Sequence, residues 1–192
     1  MTSRIIITFL LISTSLWAQD RKLSLEVNYP ITIDRNFVGT NYNGVIDVGF
    51  DYIIARSLSF DLGLGLNAGW LANRQNESDN PDSFRANIYT IQPKLYGELV
   101  INSIPKLHPQ FGLGYSVFIF DISGTFPLTN FNQRSETQGG MNFLASLVFD
   151  VSERTFIQFQ YDFVKLAQED MIPDTRFNNN VNLLKLGLGF RF

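Results

Sequence analysis

The sequence predicts an all-β fold, an eight-stranded antiparallel up-and-down transmembrane β-barrel. Three observations predict it. Apolar and polar residues alternate along several segments, and short connections between these segments alternate with long ones. Aromatic residues make up 14% of the chain although its mean hydropathy is only +0.01. Because one side of each strand of such a barrel faces lipid and the other faces the interior, half of each strand is apolar and no long apolar run is needed.

The last segment of the chain shows the alternation most plainly. Apolar side chains occupy every second position there, at Leu184, Leu186, Leu188, Phe190 and Phe192. Successive side chains of a strand point to opposite faces, so these five share one face. An exposed apolar strand at the edge of a soluble sheet would promote aggregation, whereas a strand that closes a barrel in lipid has no free edge.

Period-two alternation predicts eight strands. They cover roughly residues 22–29, 43–54, 57–71, 85–101, 107–122, 139–151, 154–166 and 181–192. The long polar connections are residues 30–42, 72–84, 123–138 and 167–180, and no segment has a helical period of useful length. Short periplasmic turns that alternate with longer extracellular loops are typical of an outer-membrane barrel, and an even number of strands places both termini in the periplasm.

The N-terminus predicts a signal peptide over residues 1–18 and a barrel domain over residues 19–192. Arg4 precedes an apolar run over residues 5–12, and a segment with small residues ends at Ala18. This run is too short for a transmembrane helix, which needs about 20 residues. Cleavage after Ala18 is preferred, and the alternative site lies one residue later. A buried strand of a cytosolic protein is disfavoured because the first fifteen residues do not alternate.

The composition excludes several classes of function. The chain has no cysteine, which excludes a lipid anchor, a disulfide framework and thiolate metal sites. Its net charge is −3, and removal of Arg4 with the signal peptide makes it −4, so no basic surface for nucleic acid is expected. His108 is the only histidine, which disfavours a transition-metal site, and no cofactor is expected. Glu77, Asp79 and Asp82 could bind calcium, but solvation of a loop explains them equally well.

The ending and the alternating connections resemble small bacterial outer-membrane barrels of the OmpA/OmpX type. The resemblance covers nearly the whole mature chain and rests on topology and on the terminal Phe192. It implies that Leu188, Phe190 and Phe192 form an assembly signal. It also implies location in the bacterial outer membrane, with outer-membrane lipid, the outer-membrane assembly machinery and an unknown extracellular molecule as partners. Unlike OmpA itself, no periplasmic peptidoglycan-binding domain is expected after the last strand.

A soluble lipocalin-like carrier is the structural alternative, since it too is an eight-stranded barrel. The polar faces are dominated by Gly, Ser, Asn and Gln, which suits a narrow filled interior better than a wet exterior. The Gly-x-Trp pattern of the first lipocalin strand is missing. Aromatic residues near strand ends predict interfacial girdles, at Trp70, Phe118, Phe120, Phe190 and Phe192.

The inward faces are predicted to carry a polar network. Its members are the charged residues on the polar side of the alternation: Glu26, Asp47, Asp51, Asp61, Lys94, Glu98, Asp162, Lys185 and Arg191. Eight strands enclose a space that side chains can fill, so these charges must be paired. Glu26 and Lys185 are expected to approach each other because the first and last strands are neighbours. A structural ion-pair network is favoured over a path for protons or ions.

The predicted function is non-enzymatic, with a structural or surface-interaction role through the extracellular loops. Aromatic and basic residues are the candidate contacts: Arg35, Phe37, Tyr42, Arg74, Phe84, Phe126, Phe131, Arg134 and Arg176. The alternatives are a narrow channel or transporter for small solutes and an outer-leaflet lipid-modifying enzyme. The enzyme is disfavoured because His108 lies at the periplasmic end without a nearby strand serine, where it is expected to be a turn or interface residue.

Overall fold

The computed structural model of the chain describes residues 21–74, 85–123, 134–167 and 175–192. Eight strands form a closed antiparallel barrel in which each strand pairs with the next along the chain. They are β1 (Leu23–Ile33), β2 (Tyr42–Arg56), β3 (Phe60–Asn73), β4 (Arg85–Leu99), β5 (Leu107–Ser123), β6 (Arg134–Asp150), β7 (Thr155–Leu166) and β8 (Asn180–Arg191). The predicted eight-stranded up-and-down barrel is confirmed.

The barrel closes where its first and last strands meet. β1 pairs with β8 over ten residue pairs, from Ser24 opposite Arg191 to Ile33 opposite Asn182. The backbone N–H of Phe192 donates to the carbonyl of Leu23 at 2.8 Å, so the ladder continues to the end of the chain. No edge strand is left to pair with another chain. The short connections all lie at one end of the barrel, called here the turn end, and the long ones at the other, the loop end.

The apolar side of each strand faces outward. Leu64 on β3 and Leu188 on β8 are 50% and 67% exposed, and comparable residues cover the outer wall on all eight strands. The polar side faces inward, where Asn67, Gln92 and Lys185 are almost completely buried. A soluble carrier would bury its apolar faces, so this orientation contradicts the lipocalin-like alternative. It agrees with a barrel surrounded by lipid.

Two one-turn helices lie on the connections at the loop end, where no helix was predicted. α1 (Phe37–Asn41) joins β1 to β2, and α2 (Arg176–Asn179) precedes β8. Asn36 caps α1 by accepting a hydrogen bond from the backbone of Gly39 at 2.6 Å, the usual role of asparagine at this position. Within the four described ranges, no helix is long and apolar enough to cross a membrane.

Two strands extend at least four residues further toward the loop end than the sequence predicts. β1 continues to Ile33 and β6 begins at Arg134, five residues before its predicted start. The added part of β6, residues 134–138, is polar on both faces, so period-two alternation of hydrophobicity does not reveal it. This is expected where a strand leaves the lipid, because its outer face then contacts water.

The interior changes character along the barrel. It is polar in the middle and at the turn end, but at the loop end it contains an apolar cluster beneath the two short helices. The cluster consists of Val38, Tyr42, Leu71, Ala86, Ile88, Phe118, Val164, Leu166, Val181 and Leu183, with Phe120 packed against it. The prediction that Phe118 and Phe120 belong to an interfacial girdle is therefore wrong. Both residues are in phase with the inward-facing Ser116 of the same strand.

Candidate functional site

Two buried lysines organise the middle of the interior. Lys185 Nζ lies 3.0 Å from Asp47 Oδ2 and 3.0 Å from Asp162 Oδ2, and it donates to Gln92 Oε1 at 2.7 Å. Lys94 Nζ lies 3.1 Å from Asp51 Oδ1 and 3.6 Å from Glu26 Oε1. Each ammonium group thus faces two carboxylates that water hardly reaches. Charges in such a place are tolerated only when they are paired and hydrogen-bonded.

Two asparagine side chains join the two lysine groups. The Nδ2 atoms of Asn28 and Asn67 each donate to both Glu26 Oε1 and Asp47 Oδ1, at distances between 2.7 and 3.2 Å. A connected polar network therefore crosses the barrel from strand to strand. We call the two lysines, their four carboxylates and these two amides the mid-barrel network.

Glycines on the inward faces make the room that this network occupies. A Cβ atom at Gly65 would lie 2.0 Å from Asp51 Oδ1, and one at Gly49 would lie 2.3 Å from Glu26 Oε1. No space remains at these positions for even one more methyl group. The interior is packed with side chains at this level.

The nine charged residues predicted to face inward fall into two groups. Six belong to the mid-barrel network: Glu26, Asp47, Asp51, Lys94, Asp162 and Lys185. The other three lie near the turn end: Asp61, which pairs with Arg56, Glu98, which accepts from Gln110, and Arg191, which pairs with Asp150.

The prediction that Glu26 contacts Lys185 is wrong. β1 and β8 do pair, but their register places Lys185 opposite Pro30 and Glu26 opposite Gly189. The two side chains are therefore four residues apart along the seam. Lys185 reaches across the barrel to Asp47 on β2 and Gln92 on β4, which adjacency in the sheet does not predict. It also contacts Asp162 on the neighbouring β7.

A second charged group surrounds an open cavity of about 620 Å³ at the turn end. The ring of His108 stands between two carboxylates, with Nε2 3.0 Å from Asp150 Oδ2 and Nδ1 3.2 Å from Glu98 Oε1. Arg191 pairs with the other oxygen of Asp150. We call these four residues the turn-end cluster. It ties the beginning of β5 to the ends of β4, β6 and β8.

His108 was expected to be a turn or interface residue, but it faces the interior and is half-buried. The sequence pattern could have shown that His108 faces inward, because it lies two residues before the inward-facing Gln110 and side chains two residues apart in a strand share a face. Both ring nitrogens face carboxylates, so neither is positioned to activate a hydroxyl nucleophile. Within the described part of the chain, no group of three or more His, Asp or Glu residues could hold a metal ion.

Replacement of Asp150 by Asn is expected to destabilise the barrel by about 1–2 kcal/mol, because His108 and Arg191 lose the charge that they share. Equilibrium urea unfolding in phospholipid vesicles measures this change. Glu153→Gln is the matched control, since that carboxylate pairs with Arg21 but is 84% exposed, and a change within about 0.5 kcal/mol is expected. Equal effects of both substitutions would contradict a stabilising role for the turn-end cluster.

The loop end presents a pair of exposed aromatic rings. Phe37 of α1 and Phe177 of α2 lie edge to face with ring centroids 6.4 Å apart, and they are 38% and 45% exposed. Phe37 also contacts Tyr42 and Phe120 at 6.0 and 6.5 Å. The two helices thus meet over the mouth of the barrel and cover the apolar cluster below them.

Three arginines lie beside this aromatic pair. Arg35 and Arg176 are exposed and lie just before the two rings in the sequence, and Arg74 Nη2 donates to the carbonyl of Gly39 in α1 at 3.0 Å. We call Phe37, Phe177 and these three arginines the mouth patch. It contains four of the residues predicted as loop contacts: Arg35, Phe37, Arg74 and Arg176.

The other predicted contacts have different positions. Tyr42 is only 3% exposed because its ring belongs to the apolar cluster, so its assignment as a contact is wrong. Arg134 is the first residue of β6. Phe84, Phe126 and Phe131 lie outside the described residues, as do the acidic loop residues Glu77, Asp79 and Asp82 and the predicted signal peptide.

Solved structures with the same fold were found, at low sequence identity. Neisserial surface protein A aligns with a TM-score of 0.62 and 11% identity over 89% of this chain and 97% of that one. Ail of Yersinia pestis, in complex with the heparin analogue sucrose octasulfate, aligns with a TM-score of 0.58 and 13% identity over 88% and 96%. A major outer membrane protein of Thermus thermophilus gives 0.57 and 13% over 88% and 99%. A search of curated proteins finds no match.

The family assignment comes from the sequence itself. A family model described as "Outer membrane protein beta-barrel domain" matches residues 5–192, which is nearly the whole chain. This match agrees with the closed eight-stranded barrel, its outward apolar faces and its similarity to small outer-membrane barrels. The chain belongs to the outer membrane protein beta-barrel domain family.

Proposed function

We propose that this protein is a non-conducting, non-enzymatic barrel of the bacterial outer membrane that binds an anionic extracellular partner through the mouth patch. The observation that carries the proposal is the filled interior. The mid-barrel network occupies the middle, and the apolar cluster lies above it. Contact with soluble molecules is then left to the ends of the barrel, and the long connections at the loop end face the cell exterior.

The contacts of Lys185 and Lys94 argue against a path for ions. A solute that crossed the barrel would have to separate Lys185 from Asp47 and Asp162, or Lys94 from Asp51. Leaving one buried charge without its partner costs several kcal/mol, about 3–5 in measured cases. An open channel would instead need charges that line a water-filled lumen.

The mouth patch has the composition of a binding surface. Aromatic and arginine side chains contribute most often to the energetic centre of protein interfaces. Guanidinium groups also bind sulfate and phosphate with two parallel hydrogen bonds. Ail, which shares this fold, was solved with a polyanionic heparin analogue. These points support an anionic partner, with Arg35 and Arg176 supplying charge and Phe37 and Phe177 supplying contact area.

Planar-bilayer recording tests the non-conducting part of the proposal. Purified protein is expected to give no discrete conductance steps, and Lys94→Ala is expected to leave this result unchanged or to destabilise the fold. Reproducible steps from the wild type, altered in size by Lys94→Ala or Asp51→Ala, would instead establish the narrow channel. Lipid A mass spectra that remain unchanged on overexpression would support the non-enzymatic part.

Retention on immobilised heparin tests the mouth patch. The double substitution Arg35→Ala with Arg176→Ala is expected to lower the salt concentration needed for elution, because two guanidinium groups are lost from one surface. Lys22→Ala with Lys106→Ala is the matched control, since it removes two positive charges from the turn end. Equal elution of both double variants would contradict a localised anion-binding surface.

A further inference from the structure

An open groove of about 310 Å³ lies on the outer wall of the barrel near the loop end. Ala167 and the buried Gly140, Leu166 and Asn179 line it, together with Tyr115 of β5, Met141 of β6 and Lys165 of β7. These three strand residues are direct neighbours across the sheet, because Tyr115 pairs with Met141 and Met141 pairs with Lys165. All three side chains are exposed. The groove therefore crosses three adjacent strands on the wall that faces lipid.

Two successive glycines lie on the β6 side of the groove. Gly139 faces outward, and a Cβ atom there would lie 2.2 Å from the hydroxyl oxygen of Tyr115. The tyrosine side chain thus extends over the glycine, toward the loop end. At Gly140 a Cβ atom would lie 2.1 Å from the backbone carbonyl of Lys165, so no side chain fits there either. Gly140 is buried and in phase with the inward-facing Asn142, so it borders the groove through its backbone.

On β6 and β7 the groove lies where the apolar part of the outer wall ends, whereas on β5 the apolar series continues beyond Tyr115 with Val117 and Ile119. Toward the turn end, the outward side chains on β6 are Phe149, Leu147, Phe143 and Met141, and toward the loop end they are Thr137 and Ser135. On β7 the outward series Ile157, Phe159 and Phe163 is followed by Lys165. In an outer-membrane barrel this boundary coincides with the level at which acyl chains meet headgroups.

The groove combines apolar and charged lining. Met141 and the Tyr115 ring supply apolar surface, and Lys165, the cross-strand partner of Met141, supplies a positive charge. In the described part of the chain, no carboxylate lies within ion-pair distance of Lys165. An exposed ammonium next to an apolar wall matches a molecule that carries an acyl chain and a phosphate.

We propose that this groove binds one phosphorylated membrane lipid. Its phosphate contacts Lys165 and the hydroxyl of Tyr115, and one acyl chain lies against Met141. The ligand is a lipid rather than a free phosphate, since the lining below Lys165 is apolar and opens to the hydrocarbon. The site is separate from the mouth patch and does not depend on the proposed extracellular partner.

Native mass spectrometry of the detergent-purified full-length protein tests the proposal. Dioleoyl phosphatidic acid and dioleoylglycerol serve as probes, because they share their acyl chains and differ only in the phosphate. One phosphatidic acid molecule is expected to remain bound, with dioleoylglycerol binding more weakly. Lys165→Gln is expected to weaken phosphatidic acid binding about tenfold. Lys106→Gln, which removes an exposed lysine at the turn end, is expected to leave it unchanged.

Three results would overturn the site. The first is an equal decrease of phosphatidic acid binding in Lys165→Gln and Lys106→Gln, which would mean that the lipid is held by non-specific charge attraction. The second is equal binding of the two probes. The third is displacement of phosphatidic acid by inorganic phosphate at the same concentration. Ala167→Trp, which fills the groove without changing charge, is expected to weaken both probes, and heat-modifiable migration on gels verifies that each variant is folded.

Discussion

Replacement of Lys185 by Met is expected to lower the free energy of unfolding by about 3–5 kcal/mol. Methionine has a similar length and fits the space, so the effect comes from charge rather than from a cavity. Asp47 Oδ2 and Asp162 Oδ2 lose the ammonium group that lies 3.0 Å from each of them, and Gln92 loses its donor. Two carboxylates then remain in the interior where water hardly reaches them.

Urea unfolding of residues 19–192 in phospholipid vesicles, followed by the fluorescence of Trp70, measures this change. Lys106→Met at an exposed turn is the control, with an expected change within about 0.5 kcal/mol. The triple variant Lys185→Met, Asp47→Asn, Asp162→Asn is expected to recover part of the loss, since neutral replacement of a whole buried ion group is tolerated better than removal of one partner. A single variant as stable as its control would show that water fills the interior and screens these charges.

Gly65→Val is expected to destabilise the barrel by about 3 kcal/mol or more, at the upper end of what overpacking costs. A Cβ atom at this position would lie 2.0 Å from Asp51 Oδ1 and 2.3 Å from Lys94 Cε. Both side chains are buried in the mid-barrel network and cannot move without breaking their ion pair. The substitution therefore adds steric strain and disrupts the charges at the same time.

The matched control is Ala68→Val, which enlarges a side chain on the opposite, lipid-facing side of the same strand. Its expected effect is within about 0.5 kcal/mol, because the side chain at this position is exposed on the outer wall. Vesicle unfolding with the same fluorescence readout compares the two variants. If Gly65→Val and Ala68→Val were equally stable, the interior near β3 would have free volume, and the argument against a channel would fail.

The two substitutions examine different properties of the same interior. Lys185→Met leaves the volume of the interior nearly constant and removes a charge, whereas Gly65→Val removes no charged group and adds volume that displaces the Asp51–Lys94 pair. A large effect of both supports an interior that is filled and dry. A large effect of Gly65→Val alone would indicate tight packing around charges that water still reaches. The proposed non-conducting function requires the first outcome.

The sequence by itself determined the number of strands and which face of each strand meets lipid. Period-two alternation is a local property, because every residue of a membrane strand is either in contact with lipid or turned inward. The alternation is plain in β8, where Leu184, Leu186 and Leu188 occupy every second position. The same phase also predicts that Lys94 and Lys185 face inward. Residues 134–138 were not predicted to belong to a strand, because both faces of β6 are polar where the strand extends beyond the lipid.

Only the tertiary structure decided which inward residues meet. Lys185 contacts Asp47, Gln92 and Asp162 on three other strands, and His108 stands between Glu98 and Asp150. The contacts of Lys185 with Asp47 and Gln92 cross the barrel, so they depend on the stagger of all eight strands. Asp162, Glu98 and Asp150 lie on strands that neighbour those of their partners, and the registers of these adjacent strand pairs place them. Alternation determines whether a side chain points inward or outward, but not its position along the axis of the closed barrel. The physical reason is that this position depends on the registers of all the hydrogen-bonded strand pairs together. No single segment of the sequence specifies those registers.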